Sequence, residues 1–366
     1  MALALGLLVT EAALTPFEPA VLSAGWTGAG AQTPDPGAER SAPLSAVELV
    51  GADGAGVVDG SGTARSPVAP GPAGVGIGIY TPAPLDGALE PIRGFEALVD
   101  HRMAYALWFQ AWGDADAAFR PDLVGAVARR GLVPVITWEP WRRDFAAPTT
   151  PQPRYSLSSI ADGEHDAYLR DWARQARAAG TPIVLRFAHE ATTRPGEKLW
   201  YPWQGEPEEY RRAFRRVVGL FRAEGADNVR FMFSGMRLHE HADAYYPGDD
   251  VVDYVGSTVL NHGTAPDVPS ARWRSFAELF APQYRAARAW GKPVFLTEVA
   301  SAEQGGDKAR WLGDFLDALP RDYPSVVGIL LLETRDREWS TIDWSVASGP
   351  ESLAAFRRAV ADPHFR

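Results

Sequence analysis

Two stretches decide the fold: Pro182-Ile-Val-Leu-Arg-Phe-Ala-His-Glu190 and Gly291-Lys-Pro-Val-Phe-Leu-Thr-Glu298. Each enters through glycine and proline, runs apolar for a few residues and ends on a glutamate. A short apolar run bounded by turn residues fits a strand covered on both faces, as in a parallel sheet. Arg186 interrupts the first run, and His189 and Glu190 close it. Two glutamates at the C-terminal ends of parallel strands supply the parts of a paired-carboxylate site. The remaining chain then reads as the scaffold that brings Glu190 and Glu298 together.

Outward from these strands, the same texture recurs. Strand candidates are Val75–Tyr80, Ala104–Phe109, Val133–Trp138, Ile183–Phe187, Val229–Phe233, Tyr254–Val259, Val294–Thr297 and Val327–Leu332. Helical spacing lies between them, for example Leu123/Val127/Ala128, Tyr168/Trp172/Ala176, Phe214/Val217/Val218/Phe221, Phe276/Leu279/Phe280/Tyr284 and Phe315/Leu316/Leu319. Glycine followed within three residues by proline joins helix to strand at Gly131, Gly180 and Gly291. Glycine ends a helix in the left-handed conformation, and proline forbids its continuation. Strands and helices alternating in this way over residues 75–366 predict a (β/α)8 TIM barrel, with a doubly wound open sheet as the alternative. No dinucleotide fingerprint supports the alternative, because Gly74-Val-Gly-Ile-Gly78 lies before or inside the first strand rather than after it.

Residues 1–74 read differently. Met1 to Leu14 are apolar, without a preceding Lys or Arg and with Glu11 inside the run, and we expect export or N-terminal anchoring from them. The run is too short to be a clear membrane span. Thr15 to Gly74 are rich in Gly, Ala, Pro and Ser, the composition of a flexible linker, with a small hairpin expected from Ala46–Val50 and Val57–Val58. The 366 residues carry a formal net charge of -10, which argues against nucleic acid or an anionic membrane surface as partner. The absence of cysteine excludes disulfides and thiolate metal sites. A monomer is expected.

In such a barrel, the ends of the strands form the active face. Those ends hold Trp108-Phe-Gln-Ala-Trp112, Trp138-Glu-Pro-Trp141, His189-Glu190 with Trp200-Tyr-Pro-Trp203, Ser234-Gly-Met-Arg237, Asn261-His262, Glu298, and Glu333-Thr-Arg335 with Trp339 and Trp344. Flat rings suit the C–H face of a sugar, and paired carboxylates suit acid/base work on a glycosidic bond. Taken alone, a strand-end glutamate is more often the structural partner of an arginine, and Arg186 or Arg237 could fill that part. Glu139 is expected to fix its loop. His239-Glu-His241 suggests a metal pair, but a solvated loop fits it better. No metal is assigned.

Ile136-Thr-Trp-Glu-Pro-Trp141, Leu185-Arg-Phe-Ala-His-Glu190 with Trp200-Tyr-Pro-Trp203, Tyr246-Pro-Gly-Asp-Asp250 with Val252-Asp-Tyr-Val-Gly256, and Pro293-Val-Phe-Leu-Thr-Glu-Val-Ala-Ser301 together resemble glycoside hydrolase family 26, the β-mannanases and lichenase-like endo-β-glucanases. The resemblance covers roughly Ile77 to Trp344. It implies a retaining double displacement that needs no metal or cofactor, with Glu190 as acid/base, Glu298 as nucleophile and His189 as the histidine before the acid/base. Arg186, Tyr201 and Asn261, with Trp108, Trp138, Trp141, Trp203 and Trp344 as sugar platforms, complete the expected substrate site. The chain departs from the family pattern at Ala191–Leu199, Ser234-Gly-Met236, Leu260 (where a tyrosine normally supports the nucleophile) and Glu333. These departures leave open a glycan-binding barrel without turnover, acting in exopolysaccharide handling. The expected partner is a polysaccharide or oligosaccharide of mannan, β-glucan or exopolysaccharide type.

Overall fold

The computed structural model describes residues 74–366 apart from 81–84, 115–116, 145–146, 148, 197–198, 239–240, 269–270 and 336–340. The apolar start, the linker and its hairpin, most of His239-Glu-His241 and Trp339 lie outside the described residues. Eight parallel strands close in chain order into a barrel. They are β1 (Gly76–Tyr80), β2 (Tyr105–Ala111), β3 (Val133–Glu139), β4 (Ile183–Phe187), β5 (Val229–Gly235), β6 (Tyr254–Asn261), β7 (Val294–Ser301) and β8 (Val326–Leu332). The outer ring is α1 (Glu90–Val99), α2 (Pro121–Arg129), α3 (Leu157–Asp162), α4 (Asp166–Ala179), α5 (Pro207–Ala223), α6 (Phe276–Ala289), α7 (Lys308–Asp322) and α8 (Pro350–Val360). No helix among the described residues is long and apolar enough to cross a membrane.

The glycine signals act as expected at Gly131, Gly180 and Gly291, with φ of 77, 64 and 63°. The glycines of β1 and β8 have a different role. A Cβ on Gly76 would lie 2.5 Å from the Tyr105 ring, and one on Gly328 would lie 2.2 Å from Phe295. These positions make room for a layer of rings inside the barrel, in which Phe295 meets Tyr105 and Tyr254 at 5.2 and 5.1 Å. Side chains alternate inward and outward along each strand, so Tyr105 fixes Phe109 inside and Trp108 outside. The chain closes at its bottom where Val75 N–H donates to the His364 carbonyl and Ile77 N–H to that of Arg366.

Candidate active site

β4 carries Arg186 into the barrel, and the chain then leaves regular strand geometry. Ala188 and Glu190 both take left-handed conformations, with φ of 44 and 53°. Such backbone costs about 1–3 kcal/mol at a non-glycine residue and persists only where its surroundings hold it. Here Ala188 N–H donates to the Trp138 carbonyl at 3.0 Å, Trp203 Nε1 to the His189 carbonyl and Gln204 Nε2 to the Glu190 carbonyl, both at 2.7 Å. β7 is irregular at the corresponding depth. Ser257 pairs with Leu296 but Thr258 with Glu298, so Thr297 is an extra residue in a bulge. A bulge at a barrel rim re-aims the side chain beside it.

The two glutamates are wholly buried and held by different partners. Arg186 Nη1 donates to Glu298 Oε1 at 2.7 Å, and its Nε donates to Ser234 Oγ at 2.9 Å. Thr258 Oγ1 donates to Glu190 Oε1 at 2.8 Å. Oε2 of each glutamate and Nη2 of Arg186 are buried without a partner among the described residues. Buried polar atoms are nearly always satisfied, so these three orphans mark a place made for a polar ligand.

Burial, and then the charge of Glu298, push the Glu190 carboxyl up to about 8. Burial also raises Glu298, but the Arg186 charge and hydrogen bond oppose it. The arginine therefore favours the anion on Glu298 and leaves the proton of the pair on Glu190. Burial, reinforced by Arg186 and Arg143, holds His189 well below its usual range, so the imidazole is neutral. Its 3.8 Å approach to Glu139 is consequently no ion pair. Burial raises Glu139 as well, against Arg143, whose Nε donates to it at 3.0 Å. Arg143 also reaches Asp114 at 2.8 Å, which ties the loop after β3 as expected for Glu139.

Several rings expected over the sugar lie elsewhere. Trp138 projects outward from β3 and packs on Trp172 of α4 and Phe221 of α5 at 4.7 and 5.9 Å. Trp108 is also outside, where its Nε1 donates to Gln110 Oε1. Both expectations are corrected by strand parity, and the inward ring of β2 is Phe109, 5.5 Å from His189. Asn261 is not open to substrate either. Its Nδ2 donates to Ser301 Oγ, and its Oδ1 accepts from the Gly263 and Arg274 amides.

Trp141, Tyr201 and Trp203 gather against the site but are buried rather than open platforms. Tyr201 stacks on Trp203 at 4.6 Å, Trp141 meets both edge-on, and His189 lies 4.7 Å from Tyr201. These rings fix His189 and Glu190 in place. Burial, then Glu190, Glu139 and Glu298, raise the Tyr201 phenol well above its usual range, which puts its ring beside the carboxylates. Trp344 is buried and edge-on to His262 at 5.2 Å. Its loop is tied down by Lys308, whose buried Nζ donates to the Asp343 and Ser345 carbonyls and to Ser348 Oγ. Glu333, a departure from the family pattern, accepts from Ser345 Oγ and the Val346 amide in the same loop.

Thr258 and Lys308 are supporting residues that sequence reasoning does not single out. Thr258 carries a usable signal, as does Ser234: a small hydroxyl side chain at an inward position of an otherwise apolar strand.

The family model for glycosyl hydrolase family 26 matches residues 160–289. Endoglucanase H of Acetivibrio thermocellus is 33% identical over 280 residues, 74% of this chain and 29% of that protein. A β-1,3-xylanase of a Vibrio species is 29% identical over 148 residues, 39% of this chain and 28% of that protein. The chain thus spans less than a third of the length of these relatives. Among solved structures, the Cellulomonas fimi endo-β-1,4-mannanase superposes with a TM-score of 0.58 at 19% identity, covering 80% of this chain and 72% of that one. The Bacteroides ovatus β-mannanase gives 0.55 at 16% identity, covering 80% and 90%. At these identities the structural likeness is one of fold.

Proposed function

We propose, from the premise that this chain belongs to family 26 of the glycoside hydrolases, that it is a retaining, endo-acting hydrolase of β-linked polysaccharide of mannan, glucan or xylan type. The observation that carries this reading is the unequal support of two buried carboxyls: Arg186 at Glu298, a neutral hydroxyl at Glu190. In the first step Glu298 attacks the anomeric carbon and forms a glycosyl ester, while Glu190 gives its proton to the departing oxygen. In the second step Glu190, now a carboxylate, takes a proton from water, which attacks the same carbon and returns Glu298 as the leaving carboxylate. His189, neutral and enclosed by Phe109, Tyr201 and Trp203, positions the acid without adding charge.

The test is Glu298→Ala. Cleavage of β-glucan and glucomannan should vanish while binding persists, azide should restore some turnover with inverted product, and the wild type should release the β-anomer first by proton NMR. Unimpaired cleavage by the variant overturns the assignment, and first release of the α-anomer overturns retention.

A further inference from the structure

A hollow of about 300 Å³ lies between the first turns of α6 and α7. The loops that leave β6 and β7 lead into these turns, so the hollow sits on the side of the barrel where the strands end. Neither Glu190 nor Glu298 lines it. Its walls hold two tryptophans, Trp273 and Trp311, with Asp307, Arg310 and Asp314. None of the motifs that carry the family resemblance includes these residues.

The rings are fixed in place. Trp273 is half-buried, and a Cβ on Gly306 would lie 2.2 Å from its indole, so the ring rests against bare backbone. Trp311 is buried edge-on to Phe276 at 5.8 Å, and its Nε1 donates to the Arg274 carbonyl at 3.1 Å. Arg274 N–H donates to Asn261 Oδ1, and Asn261 Nδ2 donates to Ser301 Oγ. This wall is therefore tied to β7, the strand that carries Glu298. The polar groups are mobile by contrast. Asp307 is committed to the cap of α7, where it accepts from the Arg310 amide at 2.8 Å. Arg310 Nε and Asp314 Oδ2 lie 3.5 Å apart, with side chains 78% and 68% exposed. A pair so open contributes little to stability and exchanges partners readily. A fixed ring takes the C–H face of a sugar, and a carboxylate with a guanidinium beside it takes neighbouring hydroxyls. Two carboxylates against one guanidinium, in a chain of net charge -10, disfavour a polyanion and suit a neutral glycan.

We infer that this hollow is a second glycan-binding site, apart from the catalytic pair, that holds another stretch of the same polysaccharide. The inference rests on the glycosidase reading, which supplies the polymer. A long chain engages both sites at once, and the second contact is then intramolecular, so the polymer is held more tightly with no change in the chemistry at Glu190 and Glu298. A short oligosaccharide gains nothing, because it occupies one site at a time.

The test measures binding and turnover separately, with the full chain. In affinity electrophoresis against mixed-linkage β-glucan and glucomannan, the wild type should be retained by at least one polymer. Trp273→Ala should weaken that binding by about fivefold or more, and Asp314→Ala, at an exposed position, by at least about twofold. Tm shows whether each variant is folded, and should Trp273→Ala fail to fold, Asp314→Ala and Arg310→Ala decide. Release of reducing ends from cellotetraose and mannotetraose should change by less than about twofold in the same variants. Polymer binding unchanged in the folded variants overturns the inference, as does a wild type that neither polymer retains. A parallel loss on the tetrasaccharides overturns it too, because the effect then runs through the catalytic pair. A wild-type dimer that the variants dissociate in sedimentation gives the hollow to a second copy and overturns it as well. Cleavage is scored apart: retention that the variants weaken, without cleavage of any probe, defeats the glycosidase reading and leaves the binding site standing.

Discussion

Replacement of Thr258 by valine removes one hydroxyl from the pair without removing either carboxyl. Thr258 Oγ1 donates to Glu190 Oε1 at 2.8 Å in a fully buried setting. A hydrogen bond to a charged group is worth about 1.5–3 kcal/mol and one to a neutral group about 0.5–1.5 kcal/mol. The bond therefore favours ionised over protonated Glu190 by about 1–1.5 kcal/mol, close to one pH unit at 1.36 kcal/mol each. Glu190 must carry its proton to act, so activity should fall as pH rises through the region of about 8 to which burial and Glu298 raise it. Thr258→Val should carry that alkaline limb upward to about 9. The acidic limb belongs to Glu298, whose Arg186 bond is untouched, and it should stay in place. Valine nearly matches threonine in volume, and the orphaned oxygen belongs to a group that is protonated at neutral pH. The fold should therefore survive. The assay is kcat/KM against pH on a soluble polysaccharide, followed by reducing-end release. An alkaline limb that stays put, or moves down, refutes Glu190 as the acid held by Thr258.

Two further outcomes follow from the same contacts. Arg186→Met leaves Glu298 buried without its partner and should cost about 3–5 kcal/mol in denaturant unfolding, most of which Arg186→Met with Glu298→Gln should return; failure of the double variant to recover would show that Arg186 acts through packing alone. Glu190→Gln should change how stability depends on pH. In the wild type the folded carboxyl holds a proton to about 8 that the unfolded chain releases near 4.5, so this group's contribution is present below about 4.5 and lost as pH rises through about 8. The glutamine variant should flatten that slope and gain a few kcal/mol over wild type at the alkaline end, read as Tm across pH; a parallel slope in both proteins would mean that Glu190 titrates normally.

Much of the barrel is legible in the sequence because its strands are buried on both faces and its joints are chemically marked. Ile183–Phe187 is bounded as expected, and β8 differs by one residue at its start. The marks also explain which elements stay hidden. α1 ends at Asp100, a left-handed non-glycine with φ of 54°, and α8 ends at Ala361 in right-handed geometry, so neither helix has the glycine stop that betrays α2, α4 and α6. α3 does end on a left-handed glycine, Gly163, but is only six residues long. At the site, residue type is legible more often than direction. Trp108 and Trp138 are aromatic and stand at strand ends, but they occupy outward positions, while nothing in the sequence marks their inward neighbours Phe109 and Thr137 as site residues. Composition identifies which rings are present; only parity counted from a fixed interior residue says which way they face.

That count fails at Glu298 and at His189, beside Glu190, and the failure locates the chemistry. Phe295 faces into the barrel, as its contacts with Tyr105 and Tyr254 require. Strict alternation from it turns Thr297 and Val299 inward and sends Glu298 toward the helices. The bulge at Thr297 reverses this and delivers Glu298 to Arg186. On β4 the inward Arg186 would send His189 outward by the same rule. The left-handed turn at Ala188 instead brings His189 against the inward ring Phe109 while Glu190 reaches Thr258. Each glutamate thus depends on a local departure from strand geometry that is unfavourable by itself and is held in place by its neighbours. Trp203 and Gln204 hold the turn at Glu190, and the slipped pairing of β6 with β7 holds the bulge at Glu298. Such concentrated strain, beside carboxyls that burial has already displaced from their ordinary pKa, is what a site selected for reactivity rather than stability would retain.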